Sequence, residues 1–275
     1  MTQQIADTTA AAPPPSRPPV TRATGARHLA DLVLHLARRE LQTQHRFTLL
    51  GSLWPLVRQL AQLVILVFLF SNVLDLGIPD YPVFVFAGLV VWTWFSTGVT
   101  LATASLADQR HLVFSPGLPN VVLPLVAVAV PLVDLVLALP VLLVLIVAEG
   151  RLAPTVLLLP VVLAVQFAFT AGVGLICAAL NALFRDVQNL VTVGLMLLFY
   201  LTPVFYGLKN VPEEFHWMLR ANPLTAFVES TRAVLLDGTL PPLRDVAIAV
   251  PSAGILLAVG WVLFHRLEPS FVDEL

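Results

Sequence analysis

Six long apolar stretches organise the chain, at about 52–73, 82–106, 120–148, 152–180, 187–206 and 245–265, with polar residues gathered in the intervals between them. A helix crossing the ~30 Å hydrocarbon core of a bilayer needs about 20 apolar residues, so each stretch predicts one span. Pro55 stands in the first turn of the first stretch, where the missing N–H would have no helical partner anyway. The third stretch holds Pro124, Pro131 and Pro140 and is expected to kink. Prolines at that depth are tolerated where neighbouring helices re-satisfy the freed carbonyls, which argues for a bundle. The expected fold class is an all-α membrane protein with six transmembrane helices.

Ahead of the spans the pattern changes. Residues 1–24 hold Pro13, Pro14, Pro15, Pro18 and Pro19 among Ala, Thr and Ser, with no apolar run. Such a segment cannot bury enough surface to offset its ordering entropy, so a disordered cytoplasmic tail is expected there, and no cleavable signal. Residues 25–48 read as an amphipathic helix at the membrane interface. His28, Asp31, His35, Arg38, Gln42 and His45 form one helical stripe, with Leu29, Leu32, Val33, Leu36 and Ala37 on the other face. That apolar face suits either the lipid surface, with Arg38, Arg39 and Arg46 towards headgroups, or the protein's own spans; the two are compatible.

Between the fifth and sixth stretches, residues 208–240 predict a re-entrant helix pair. Pro212-Glu213-Glu214 opens one short helix, with acids at its positive end. It breaks at Asn222-Pro223, and a second helix runs to about Leu236 and stops at Asp237-Gly238. Both are too short to cross, yet Phe215, Trp217, Leu219, Phe227, Val228 and Leu235 are too apolar for open water. A pair that dips into the outer leaflet and returns reconciles these facts, provided protein shields its backbone. Residues 49–275 thus form one membrane domain.

Composition agrees. Of 275 residues, 58% are hydrophobic and 12% charged, against roughly 25% charged in soluble domains. The mean hydropathy is +0.88. A net charge of −2 excludes the strongly basic face of a nucleic-acid binder, and the single cysteine cannot form an internal disulfide. With the N-terminus inside, nine basic residues fall on the cytoplasmic side and five outside, with Arg58 left within the first span. The excess predicts both termini in the cytoplasm of a multi-pass plasma (inner) membrane protein.

Catalytic signatures are missing. No phosphate-binding loop, HExxH, GxSxG or Cys/His cluster occurs, so neither a catalytic residue nor a metal ligand is assigned. Energy-requiring work would then need ATP hydrolysis on another chain. Two charges fall inside spans, Arg58 and Asp134. Intramembrane charges are by default functional, although a protonated, hydrogen-bonded Asp134 and a snorkelling Arg58 are the plainer readings. Aromatics cluster at Trp92, Trp94 and Phe95, and again at Phe199, Tyr200, Phe205 and Tyr206. They suit either an interfacial belt or a surface on which sugar rings stack. The loop at 107–119 combines Arg110 and His111 with apolar Leu112 and Phe114, a pattern suited to docking in a partner's groove.

These segments together resemble the permeases of type-2 ABC exporters. Arg39-Glu40 followed by Leu50-Gly51-Ser52-Leu53-Trp54-Pro55-Leu56 is similar to their first membrane segment, and Tyr81-Pro82 through Trp92 and Phe95 to their second span. Asn181 to Asp186, Leu201-Thr202-Pro203-Val204-Phe205-Tyr206, and Asn222-Pro223-Leu224 with Arg232 and Gly238 resemble the later signatures. Within that superfamily the pattern is most similar to polysaccharide exporters of O-antigen, teichoic acid or actinobacterial galactan. The family's more basic loop between spans two and three is thinned here to Arg110 and His111. The resemblance implies a homodimer joined by two copies of an ATP-binding subunit, with ATP and Mg bound by that partner and no cofactor on this chain. It also implies a channel moving a polyprenyl-pyrophosphate-linked polysaccharide outward. A type-2 exporter of a drug or lipid is the alternative, and an integral membrane glycosyltransferase or acyltransferase a distant third.

Overall fold

A computed structural model describes residues 31–38, 40, 53–74, 76–114, 118–151 and 153–271. The expected tail at 1–24 lies outside them, as does most of the expected interface helix. Every regular element among the described residues is helical: α1 (31–38), α2 (Trp54–Phe68), α3 (Tyr81–Asp108), α4 (Arg110–Val113), α5 (Val122–Ala129), α6 (Leu132–Ala148), α7 (Leu159–Leu183), α8 (Val187–Leu201), α9 (His216–Ala221), α10 (Pro223–Leu235) and α11 (Leu243–Leu267). α2 continues as a π-helical turn, Leu69–Val73.

Five apolar segments are long enough to cross a membrane: Trp54–Ser71, Tyr81–Asp108, Val122–Ala148, Pro154–Leu183 and Leu243–Ser270. The fifth expected span, 187–206, does not form as one helix. α8 has 15 residues, about 22 Å at 1.5 Å per residue, and it ends at Leu201 rather than near 206. Thr202 precedes Pro203 and takes the extended backbone that a following proline demands, φ −105° and ψ 133°. The third span is likewise divided, because Pro131 supplies no N–H and the chain turns between α5 and α6.

α3 is the central post. It packs against α2, α5, α6, α7, α8 and α10, and most of its residues are buried, from Tyr81 and Phe86 to Ala102 and Leu106. Its polar neighbours are tied to its backbone. Gln166 on α7 donates to the Val91 carbonyl at 2.9 Å, and Asn181 to that of Thr103 at 2.9 Å. The Asn181 side-chain oxygen also accepts from the Gln188 N–H at 3.1 Å, which fixes where α8 begins.

One core cluster surrounds α3, and a second closes the end of the bundle at which α3 finishes. That second cluster joins Ala37 of α1, Leu106, Val113, Leu175, Phe264 and Phe271, with Leu32, Val33 and Leu36 packed against it. The apolar stripe of α1 therefore lies on protein, while Asp31, His35 and Arg38 face outward. The first and last described helices consequently meet at one end of the molecule.

α7 and α11 cross closely because two glycines let them. A Cβ on Gly172 would stand 2.5 Å from the Leu256 carbonyl carbon and the Leu257 nitrogen, and one on Gly260 would stand 2.5 Å from the Gly172 carbonyl oxygen. Small residues at helix contacts are the usual route to close approach in lipid, where apolar burial between helices is no driving force. Gly254, on the same helix α11, has nothing within 4 Å of its would-be Cβ. Gly172→Leu is therefore expected to push α11 off α7 at a cost of about 1–3 kcal/mol, read as a lower melting temperature of the detergent-solubilised protein, whereas Gly254→Ala should leave it unchanged or slightly raised.

Candidate functional site

The broken end of α8 is where the structure concentrates its polar contacts. Once the helix stops, the carbonyls of residues 200–205 lose helical partners, and such groups are costly to leave unmet away from water. Each finds a donor. The Tyr200 carbonyl accepts from the Tyr206 hydroxyl at 3.0 Å, Leu201 from Asn222 at 3.4 Å, and Thr202 from the Val204 N–H at 2.7 Å. The Pro203 carbonyl accepts from Arg232 at 2.8 Å, Val204 from Arg232 at 2.7 Å, and Phe205 from the Tyr81 hydroxyl at 2.7 Å.

Arg232 is central to this arrangement. It is 3% exposed, donates also to the Phe84 carbonyl at 3.3 Å, and is paired with Glu229 one turn earlier at 2.9 Å. Its guanidinium carbon lies 3.4 Å from the Phe84 ring centroid, in cation–π contact. Gly88 makes room: a Cβ there would stand 2.7 Å from the Val204 oxygen and 3.0 Å from the guanidinium. Asn222 adds a second tie, bonding Thr202 Oγ1 at 2.9 Å while its oxygen caps the start of α10 at the Leu224 N–H. α10 is thus held against α3 and the end of α8. The helix pair expected at 208–240 forms as α9 and α10 with the break at Asn222-Pro223. Leu219, Phe227, Val228 and Leu235 are buried, while Trp217, expected to share that shelter, points outward at 71% exposure.

Beside this staple runs a groove of about 570 Å³ between α2, α3 and α8. One end is aromatic. Trp92 meets Phe199 at 5.4 Å between ring centroids, and Phe199 meets Tyr200 and Phe205, each at 5.5 Å. Phe205 continues to Tyr206 at 5.1 Å and to Phe70 at 5.4 Å, outside the groove. The other end is polar, with Arg58 from α2, Ser96, Thr97 and Thr100 from α3, and Thr192 from α8. Thr100 and Thr192 donate to carbonyls one turn back on their own helices, at 2.8 and 2.9 Å, which leaves their oxygen lone pairs to accept from a ligand.

The structure therefore separates the sequence candidates. Arg58, Trp92, Phe199 and Tyr200 share the groove. Trp94 and Phe95 are buried behind it: the Trp94 indole donates to the Val128 carbonyl at 3.3 Å, and Phe95 packs on Phe169 at 5.7 Å. Asp134 sits in the first turn of α6, where the helix dipole favours an acid, and lines a small cavity with Gln59. Of the loop candidates, Arg110, His111 and Leu112 form α4 with Val113, whose buried side chain roots the turn, and Phe114 follows at 51% exposure. His111 and Leu112 also line a cavity of about 420 Å³ beneath Leu36 and Glu40.

Sequence reasoning overlooked the hydroxyls and the reach of Arg232. Ser96 and Thr100, four residues apart, mark one face of α3, and that spacing was the available signal. Nothing in the sequence said that Arg232 faces the Thr202-Pro203 break, since the partners are 29 residues apart.

A family model described as "ABC-2 type transporter" matches residues 31–236. Among curated proteins, the O-antigen export system permease protein RfbA of Myxococcus xanthus is 36% identical over 248 residues, 89% of this chain and 95% of that protein. A protein of the same name from Klebsiella pneumoniae is 31% identical over 251 residues, 90% of this chain and 96% of its own length. The polysialic acid transport protein KpsM of Escherichia coli is 25% identical over 242 residues, 86% of this chain and 93% of that protein. With the family model spanning most of the chain and full-length relatives above 30% identity, the chain belongs to the ABC-2 type transporter family, as one of its membrane-embedded permeases.

Proposed function

We propose that this chain is the transmembrane subunit of an exporter that carries a polyprenyl-pyrophosphate-linked polysaccharide from the cytoplasm to the outer face of the plasma (inner) membrane. ATP would be hydrolysed, with Mg, on a separate subunit. The observation that carries this reading is the groove: rings at one end, a row of hydroxyls at the other, and no acidic residue in its lining. A drug or lipid site is expected to be mostly apolar; stacked rings beside hydroxyl acceptors suit a sugar. The names of the relatives point the same way, to O-antigen and polysialic acid. A galactan is the substrate we favour, because 14 of the 15 basic residues are Arg, the codon bias of a GC-rich genome such as an actinobacterium's.

The topology we assign has six crossings and a re-entrant hairpin at 208–240 within a membrane domain of residues 49–275. The meeting of the first and last described helices in one cluster supports an even number of crossings. With five long spans, we assign the sixth to α8 continued through residues 202–207. Arg and Lys placement puts the shared end in the cytoplasm. The assembly we favour is a homodimer, a reading supported by α8, which has no buried residue and borders the open side of the groove. A second copy facing it closes the groove into a channel, with two ATPase subunits beneath. α4 and Phe114 form the coupling element: Val113 anchors the turn, and Phe114 is the knob presented to the ATPase.

Two outcomes follow. Tyr200, at 61% exposure, can be changed without disturbing the core, so Tyr200→Ala should lower polysaccharide appearance at the cell surface several-fold at unchanged protein level; full export would remove the ring surface from the path. Phe114→Asp places a charge in an apolar contact, a loss of a few kcal/mol. Co-purification of the ATPase subunit should fail while the permease still reaches the membrane, and normal recovery of the complex would move the coupling role elsewhere.

A further inference from the structure

We infer that Arg58 is the anion-binding subsite of the groove, and that it holds the phosphate linking a saccharide to its lipid carrier. This rests on the glycan reading above. Arg58 lies four residues into α2 and faces the groove. Two other arginines of the bundle are engaged: Arg232 with Glu229 and three carbonyls, Arg151 with Asp80. Arg58 has neither an acid nor a hydrogen-bond acceptor among the described residues. Among the described residues the lining holds no other charged group, so the low-dielectric walls leave a local positive potential.

Arg58 is exposed in the single chain and packing does not require a cation there, since leucine would serve the fold. A guanidinium presents a planar fork of donors that matches phosphate oxygens two at a time. The hydroxyls of Ser96, Thr97, Thr100 and Thr192 add acceptors for the first sugar hydroxyls. The groove is graded along its length. Thr192 and Phe199 are seven residues apart on α8, roughly 10 Å along the helix, which separates the cationic end from the stacking end. An anionic linker held at Arg58 therefore places the attached sugars against Trp92, Phe199 and Tyr200. The competing source of the same chemistry is a phospholipid headgroup reached by snorkelling.

The test uses the permease with its ATPase subunit in phosphatidylcholine nanodiscs, as wild type, Arg58→Gln and Arg58→Lys. Binding is measured for a disaccharide on polyprenyl pyrophosphate and for the same disaccharide on an uncharged alkyl chain. Arg58→Gln should weaken the first roughly ten- to hundredfold and leave the second unchanged, with Arg58→Lys between. Equal affinity of wild type and Arg58→Gln for the pyrophosphate probe, with alkyl glycoside binding intact, overturns the subsite and leaves the glycan reading standing. Failure of wild type to bind either probe overturns both. Repeating the comparison in phosphatidylglycerol nanodiscs separates the sources: a persisting Arg58 effect supports the saccharide linker, and its loss assigns the guanidinium to headgroups and ends the proposal.

Discussion

A buried guanidinium stitched to a broken helix is the constraint on which one end of this permease depends. Pro203 ends α8 too early to cross the bilayer, and the residues that follow expose carbonyls that helix geometry no longer meets. Arg232 takes two of them, and Tyr81, Tyr206 and Asn222 take others. Leaving a single buried acceptor unmet costs about 1–3 kcal/mol, so each donor of the cluster matters to the segment it holds. Gly88 belongs to the same device, because any larger residue on that turn of α3 would hold Val204 and Arg232 away.

The functional groove inherits its shape from this staple. Phe199 and Tyr200 stand on the last turn of α8, immediately before the break, and Phe205 packs on Phe199 from beyond it. Fixing residues 200–205 therefore fixes the aromatic end of the groove. At the opposite end of the bundle a separate cluster binds α1, α4 and the end of α11 together. Movement imposed at Phe114 has a packed route to α3 through Val113 and Leu106, and α3 carries both the hydroxyl row and Trp92. The fold thus joins the α4 end of the bundle to the groove by one continuous helix, α3.

Much of this was legible in the chain. Apolar run lengths placed five spans to within a few residues, because membrane crossing is a local requirement on composition. The helix pair around Asn222-Pro223 was legible too, since proline and glycine act on the backbone where they stand. The fifth stretch is helical only as far as Leu201, because a run of mean apolar character does not register that Thr202-Pro203 breaks the helix. Tertiary placement was the less readable part. Trp92, Trp94 and Phe95 look alike in sequence, yet a helix turns about 100° per residue, so Trp92 borders the groove while Trp94 faces α5 and α7. The apolar stripe on α1 was visible, but whether lipid or protein covers it depends on Val113 and Phe271, far along the chain.

Backbone hydrogen exchange of the nanodisc-embedded protein tests the central claim most directly. In the wild type, the amides of 204–210 should exchange slowly, since the Val204 and Gly207 N–H groups are bonded within the stapled segment. Arg232→Met removes the donors while keeping an apolar stem. The account predicts fast exchange across 204–210 and through α10, with α7 and α11 still protected at their glycine crossing. Unchanged protection of 204–210 in Arg232→Met would show that the segment holds itself, and would contradict the account.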